Sequence, residues 1–230
     1  MLGAAATLLM LTACAGAQAQ AAPQQRFVVV LDAAHGGDDS GGRLTNGQME
    51  KTVTLALSVR LRSMLNARGI TVVTTREADA AMEADRRAGI ANHSKAGACL
   101  SLHATESGGG VHLFTSSLAP AQAVRFAAWK TAQAGYVTRS LALAGVLNSA
   151  LAGAAMKVTL GRTALAGVDS MACPAVAVEM APERGADGKI TAEPTDADYQ
   201  ARVVATLASA LLAWRANPQQ DAAQTGARQP

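Results

Sequence analysis

The amino-acid sequence predicts an α/β protein built on a mostly parallel sheet. The run at 27–31 is continuously apolar and β-branched, which is typical of a central parallel strand covered on both faces. After it, apolar residues recur at helical spacing from Glu50, and a second β-branched run follows at 70–75. This β-α-β order indicates parallel neighbouring strands.

The remaining elements are assigned in order along the chain. Gly and polar residues over 38–47 predict a loop, and Gly69 stands where a glycine would end the first helix. Alternation in the third strand places Cys99, Ser101 and His103 on one face. The elements predicted further on are a short helix over about 82–95, strands over 98–103 and 111–115, one or two Ala-rich helices within 120–155, a strand over 175–180 and an amphipathic closing helix over 199–214.

Composition and the two ends of the chain define the domain organisation. The chain has 230 residues, half of them hydrophobic, which suits one globular domain, assigned here to 23–216. The apolar run in 1–22 is typical of an export signal, and Cys14 ends a lipobox-like Leu-Thr-Ala-Cys, so we expect either cleavage or lipidation. The segment 217–230 is expected to be disordered.

Charge and cysteine usage limit the possible partners. The net charge of +3 comes from scattered Lys and Arg, so no nucleic-acid partner is expected, and an anionic wall polymer is only weakly favoured. Cys99 and Cys173 lie in apolar strand-like runs, and we expect them to be buried small hydrophobes rather than a disulfide or a metal pair. The protein is expected to be an exported monomer, periplasmic or membrane-anchored as a lipoprotein.

Four polar residues fall where strands end or a helix begins. His35 follows the first strand, His103 closes the third, Glu179 lies near the end of the 175–180 run, and Glu50 starts the first helix. Ligands of open α/β sheets gather at the carboxyl ends of strands. Two imidazoles and a carboxylate, with one position left for water, can form a catalytic zinc site, and a further carboxylate can move protons. The alternative is that each is structural, with Glu50 a first-turn acid favoured by the helix dipole.

Several motifs, in order, resemble one enzyme family. They are VVVLDAAHGG at 28–37, MEK at 49–51, TTR at 74–76, RAGIAN at 87–92, SLHA at 101–104 and PAVAVE at 174–179. The chain resembles the zinc-dependent N-acetylmuramoyl-L-alanine amidases of the Amidase_3 type over 27 to about 214. The sequence departs from the family pattern around His35, where Ala33 and Ala34 replace Pro-Gly, and after Glu179, where Met-Ala-Pro replaces Gly-Phe-Leu.

The resemblance implies a fold, a site and a reaction. The fold is a twisted, mostly parallel sheet of about six strands with helices on both faces. His35, Glu50 and His103 would bind Zn²⁺ and Glu179 would be catalytic, in hydrolysis of the peptidoglycan amide between N-acetylmuramic acid and L-alanine. Open alternatives are a zinc endopeptidase on stem peptides and a non-catalytic or regulatory peptidoglycan-binding protein that retains the zinc-site fold. A protein activator is a further expected partner.

Four further His and Arg residues lie outside this predicted metal and catalytic set. Arg76 and Arg87 are candidates for substrate contact, although structural ion pairs are the commoner role for such residues. His93 and His112 match no ligand spacing and are predicted to be bystanders.

Overall fold

The computed structural model describes residues 26–122 and 128–217. Its elements are β1 (Val28–Ala33), α1 (Glu50–Asn66), β2 (Thr71–Thr74), α2 (Ala84–His93), β3 (Ala98–Ala104), β4 (Val111–Ser116), a 3₁₀ helix (Trp129–Gly135), α3 (Val137–Gly153), β5 (Val158–Thr163), a 3₁₀ turn (Val168–Ser170), β6 (Ala175–Met180), β7 (Glu183–Arg184), β8 (Ile190–Ala192) and α4 (Ala197–Arg215). The export segment 1–22, Cys14 and the tail beyond residue 217 lie outside the described residues.

The main sheet has six strands in the order β2-β1-β3-β6-β4-β5. All neighbours are parallel except β4 and β6, which pair antiparallel. The sheet is therefore mostly parallel, as predicted, and β4 and β5, at one edge, run antiparallel to the other four strands. A separate hairpin, β7-β8, follows the last strand of the main sheet.

Helices cover both faces of this sheet. The larger core joins leucines and valines of α1, α3 and α4 to one face, with Leu100, Leu102 and Val178 contributed by the strands. The smaller core lies on the other face, where Ala88 and Ala91 of α2 pack on Val30, Cys99 and neighbouring residues. The central strands are buried from both sides, which is why their sequences are continuously apolar.

The turn from α1 into β2 uses the predicted glycine. Gly69 has φ +73°, in the left-handed region that favours a residue without Cβ. The N–H of Ile70 donates to the carbonyl of Leu65 at 3.1 Å, which closes the helix end and reverses the chain into β2.

The structure corrects the expectation for the cysteines. Cys99 and Cys173 are both fully buried, but they form a disulfide, with their Cα atoms 6.2 Å apart. The bond links β3 to the residue before Pro174, at the start of β6. Sequence reasoning missed it because 74 residues separate the two positions, and only pairing of β3 with β6 brings them together.

The Ala-rich segment agrees with the prediction of one or two helices within 120–155, whereas one strand of the main sheet was not predicted. The Ala-rich segment forms a 3₁₀ helix and then α3, with residues 123–127 outside the described part. Strand β5 was not predicted, because it is an edge strand whose side chains are mostly exposed and show no buried stripe. Within residues 26–122 and 128–217, every helix is too short or too polar to span a lipid bilayer.

Candidate metal centre and its surroundings

The four predicted site residues lie at one edge of the sheet. His35 follows β1, His103 is near the end of β3, and Glu179 is near the end of β6. His103 and Glu179 are partners in the parallel β3-β6 register, so their side chains leave the sheet on the same face. Glu50, the first residue of α1, reaches this edge from the helix.

Three of these residues form a cluster that could hold a metal ion. Among the described residues, one ligand atom each from His35, Glu50 and His103 lies within 4.8 Å of the others. Glu50 is in the middle: its Oε2 is 3.1 Å from His35 Nε2, and its Oε1 is 2.9 Å from His103 Nδ1. The two imidazole rings meet edge to face, with centroids 5.6 Å apart.

The Glu50 carboxylate is held by the backbone on two sides. The N–H of Gly42 donates to Oε2 at 2.9 Å, and the N–H of Ala104 donates to Oε1 at 3.2 Å. Gly41 packs so closely that an added Cβ would lie 2.7 Å from Oε2 and 2.6 Å from the His35 ring, and its φ is +64°. A glycine is therefore required at 41 for the carboxylate and the ring to face each other.

His35 has an unusual backbone conformation, and buried arginine side chains stabilise the turn that contains it. Its φ of +63° is uncommon for a residue with a side chain. Guanidinium N–H groups of two buried arginines hold the turn: Arg76 donates to the carbonyls of Ala33 and Ala34, and Arg87 donates to those of Ala33 and His35. These bonds offset the cost of the left-handed backbone, of order 1 kcal/mol.

Arg76 and Arg87 thus lie in the protein interior, next to the turn that carries His35. Their exposed fractions are 4% and 6%, and Arg87 also forms a buried ion pair with Asp32 at 2.7 Å. Burial lowers the pKa of Arg76, since the charged form loses solvation. Their hydrogen-bond donors are directed at the protein rather than at an open surface.

Neighbouring polar groups select which nitrogen of each imidazole faces Glu50. Both carboxylate oxygens of Asp39 are 2.9 Å from His35 Nδ1, so Nε2 is the atom presented to the cluster. Ser101 donates its hydroxyl hydrogen to Asp32 at 2.9 Å, and its oxygen is 3.3 Å from His103 Nε2. Because that oxygen can then only accept, Nε2 of His103 carries the hydrogen and Nδ1 faces the cluster.

The charges of the cluster favour ionised Glu50 and protonated His35. Burial opposes ionisation of Glu50, but hydrogen bonds from His103 and His35 outweigh it and hold its pKa well below the ordinary value. The hydrogen bond to Glu50 raises the pKa of His35, with a further contribution from Asp39. Glu50 is thus a carboxylate between two imidazole nitrogens, an arrangement in which a metal ion can replace the proton shared with His35.

Glu179 has a partner that the sequence did not reveal. Its Oε2 is 2.7 Å from Nδ1 of His112, and the two residues are directly opposite in the antiparallel β4-β6 pair. The prediction that His112 is a bystander did not anticipate this contact. No spacing in the sequence signals this contact, because it depends on the reversed direction of β4. His93 bonds to the carbonyl of Gly89 on α2 and is not part of this cluster.

Comparisons with known proteins agree on the family. Residues 29–212 match the family model described as N-acetylmuramoyl-L-alanine amidase. N-acetylmuramoyl-L-alanine amidase AmiA of Escherichia coli (strain K12) is 42% identical over 77 residues, which is 34% of this chain and 27% of AmiA. The chain thus spans less than a third of that curated relative.

Solved structures share the fold over most of the chain. The catalytic domain of CwlV, an N-acetylmuramoyl-L-alanine amidase from Bacillus (Paenibacillus) polymyxa var. colistinus, has a TM-score of 0.63 at 26% identity, covering 82% of this chain and 97% of that domain. The CwlD amidase from Clostridioides difficile, solved in complex with the GerS lipoprotein, has a TM-score of 0.61 at 18% identity, covering 82% of this chain and 98% of that one.

Proposed function

The chain belongs to the N-acetylmuramoyl-L-alanine amidase family, and on that premise we propose that it hydrolyses the amide between N-acetylmuramic acid and the L-alanine of peptidoglycan, in cell-wall remodelling or daughter-cell separation. One observation carries the proposal: a His-Glu-His cluster lies at the same sheet edge as Glu179, with His103 and Glu179 in register. A metal-binding group and a proton carrier are the two parts that amide hydrolysis requires.

The cluster has the donor set that zinc prefers in catalytic sites. Nε2 of His35, a carboxylate oxygen of Glu50 and Nδ1 of His103 would be the three ligands, which leaves a fourth position open. These ligand atoms lie within 4.8 Å of one another, and each is a nitrogen or a carboxylate oxygen of the kind that zinc accepts in proteins. When bound, zinc supplies Lewis-acid polarisation of the scissile carbonyl and lowers the pKa of a water to about 7.

Glu179 would carry the proton in the reaction. Its carboxylate accepts a proton from the attacking water as the oxygen forms a bond to the carbonyl carbon. The same proton then passes to the leaving nitrogen as the carbon-nitrogen bond breaks. The products are the lactyl carboxylic acid of the sugar and a stem peptide with a free L-alanine amine.

Arg76 and Arg87 are proposed to act by holding the turn that carries His35. Both were candidates for substrate contact, but their buried donors bond to the carbonyls of residues 33–35. Asp39 orients the His35 ring from its other nitrogen, as carboxylates commonly do for metal-binding histidines.

The site of action would lie outside the cytoplasm. The buried Cys99–Cys173 disulfide supports export, since such bonds persist in oxidising compartments. We propose 1–22 as the export segment, 23–216 as the catalytic domain and 217–230 as a tail, with the protein monomeric in the periplasm or anchored there through a lipid at Cys14. Peptidoglycan is the proposed partner, and a protein activator would be a second one.

Digestion of purified cell-wall sacculi tests the proposal. With zinc present, the chain should release stem peptides that begin with a free L-alanine amine, identified by mass spectrometry. Glu179→Ala should abolish release while retaining bound zinc, and Asp85→Ala, an exposed acid on α2, should leave it unchanged. An active Glu179→Ala protein would refute the mechanism.

The released fragments also separate the alternatives. Cuts within the stem peptide would identify an endopeptidase and contradict the amidase assignment. Bound zinc with no release from any sacculus preparation would indicate a peptidoglycan-binding protein without turnover. Fewer than about one metal per two chains after zinc reconstitution would contradict the proposed metal centre.

A further inference from the structure

Glu179 contacts a second histidine, His112, which lies outside the His35-Glu50-His103 cluster. Antiparallel pairing of β4 and β6 places the two residues directly opposite each other, and Nδ1 of His112 is 2.7 Å from Oε2 of Glu179. We propose that His112 is a positioning residue that holds one oxygen of the Glu179 carboxylate and leaves the other to exchange protons with the reacting groups. This rests on the proposed role of Glu179.

The direction of the hydrogen bond follows from the chemistry of the partners. An ionised carboxylate can only accept, so the hydrogen is on Nδ1 of His112. A glutamate with 30% of its side chain exposed would otherwise sample several rotamers. A bond to one oxygen selects a single orientation, and proton transfer requires the other oxygen to be within hydrogen-bond reach of the reacting atom.

The imidazole ring is itself confined. Gly108 has φ +80°, and an added Cβ there would lie 2.6 Å from Cε1 and 2.8 Å from Nε2 of His112. The Phe114 ring meets the imidazole edge to face, with a centroid distance of 6.1 Å. Gly108 is tied in turn, because its carbonyl accepts from Nε of Arg184 at 2.8 Å. The ring therefore cannot turn away from Glu179 without moving this loop.

Two variants separate the hydrogen bond from the shape of the residue. His112→Asn can place an amide N–H near the position of Nδ1, whereas His112→Leu fills similar space without a donor. On a soluble muropeptide, His112→Leu should lower kcat about 10–100-fold with KM within about twofold, the range typical of groups that orient a functional residue. His112→Asn should recover most of that loss. His93→Leu on α2 is the matched control and should not change kcat.

A readout independent of turnover is the imidazole NMR signal of His112 in the zinc-free and zinc-loaded protein. A protonated Nδ1 that changes on Glu179→Gln supports the assignment, and an Nδ1 without hydrogen overturns it. Unchanged kcat in His112→Leu, or loss of zinc or folding in both His112 variants, also overturns it. If Glu179→Ala is active, the proposed function fails; if Glu179→Ala is inactive but His112→Leu is fully active, this inference alone fails.

Discussion

Removal of the Cys99–Cys173 disulfide should destabilise the protein without altering its fold. The bond joins positions 74 residues apart, so reduction restores a large amount of freedom to the unfolded chain. In the chain-entropy model, a loop of this length corresponds to about 4.5 kcal/mol at 25 °C. For a protein of this size the melting temperature should fall by about 10–15 °C.

The effect of the cross-link can be separated from the effect of packing. Both side chains are fully buried beside Val30 and Ala175, so replacing them also leaves small cavities. Reduced wild-type protein keeps both sulfur atoms and reports the cross-link alone. The double variant Cys99→Ala/Cys173→Ala should lose about 1 kcal/mol more for each position.

The assay is thermal denaturation followed by circular dichroism, on protein refolded with and without reductant. Free-thiol titration confirms the state of the cysteines in each sample. A melting temperature that differs by less than about 2 °C between oxidised and reduced wild type would refute the reasoning. A double variant equal to the oxidised protein would show that neither the bond nor the packing of the sulfur atoms contributes.

Three further predictions concern the metal centre. Asp39→Asn should weaken zinc binding about tenfold, the low end for such partners because Asp39 is exposed, and unchanged affinity in a chelator competition would contradict this. Gly41→Ala should abolish zinc binding, since the added Cβ would overlap His35 and Glu50. Gly42→Ala should still bind zinc, because its Cβ would lie 3.5 Å from Oε2 of Glu50. Equal zinc affinities of the two variants would contradict this geometry. The pKa of His35 is raised in the folded, zinc-free protein, so protonated His35 stabilises that protein below pH 6.5. This stabilisation is lost as the pH rises through the pKa of His35 in the folded protein. Because zinc must displace the proton, zinc should raise the melting temperature more at pH 8 than at pH 6. Equal zinc-induced shifts at the two pH values would show that no proton is displaced.

Much of the fold could be predicted because its central strands are buried on both faces. Their apolar runs, and the helical spacing of α1 and α4, are local patterns that burial alone imposes. Strand β5 escaped prediction for the converse reason: it lies at the sheet edge, and exposed side chains carry no pattern. The direction of β4 was equally invisible, since a short strand has the same alternation in either orientation.

The candidate site was likewise predicted only in part. The cluster was predicted from the motif order and from four residues that lie at element ends: His35, Glu50, His103 and Glu179. The prediction was possible because the carboxyl ends of parallel strands meet at one edge of the sheet. The buried hydrogen bonds that hold the backbone next to the cluster were not predicted. Asp32 accepts hydrogen bonds from Thr75, Arg87 and Ser101, which come from three separate parts of the chain.

By itself, the sequence determined the family, the alternation of strands and helices, and the chemical types gathered at one sheet edge. Only the tertiary structure decided that two distant cysteines are bonded, that two arginines lie beneath the His35 turn, and that His112 faces Glu179. The physical reason is that periodicity and motifs record each residue's local environment. Contacts between residues far apart in the chain depend on strand order and direction, which no local pattern contains.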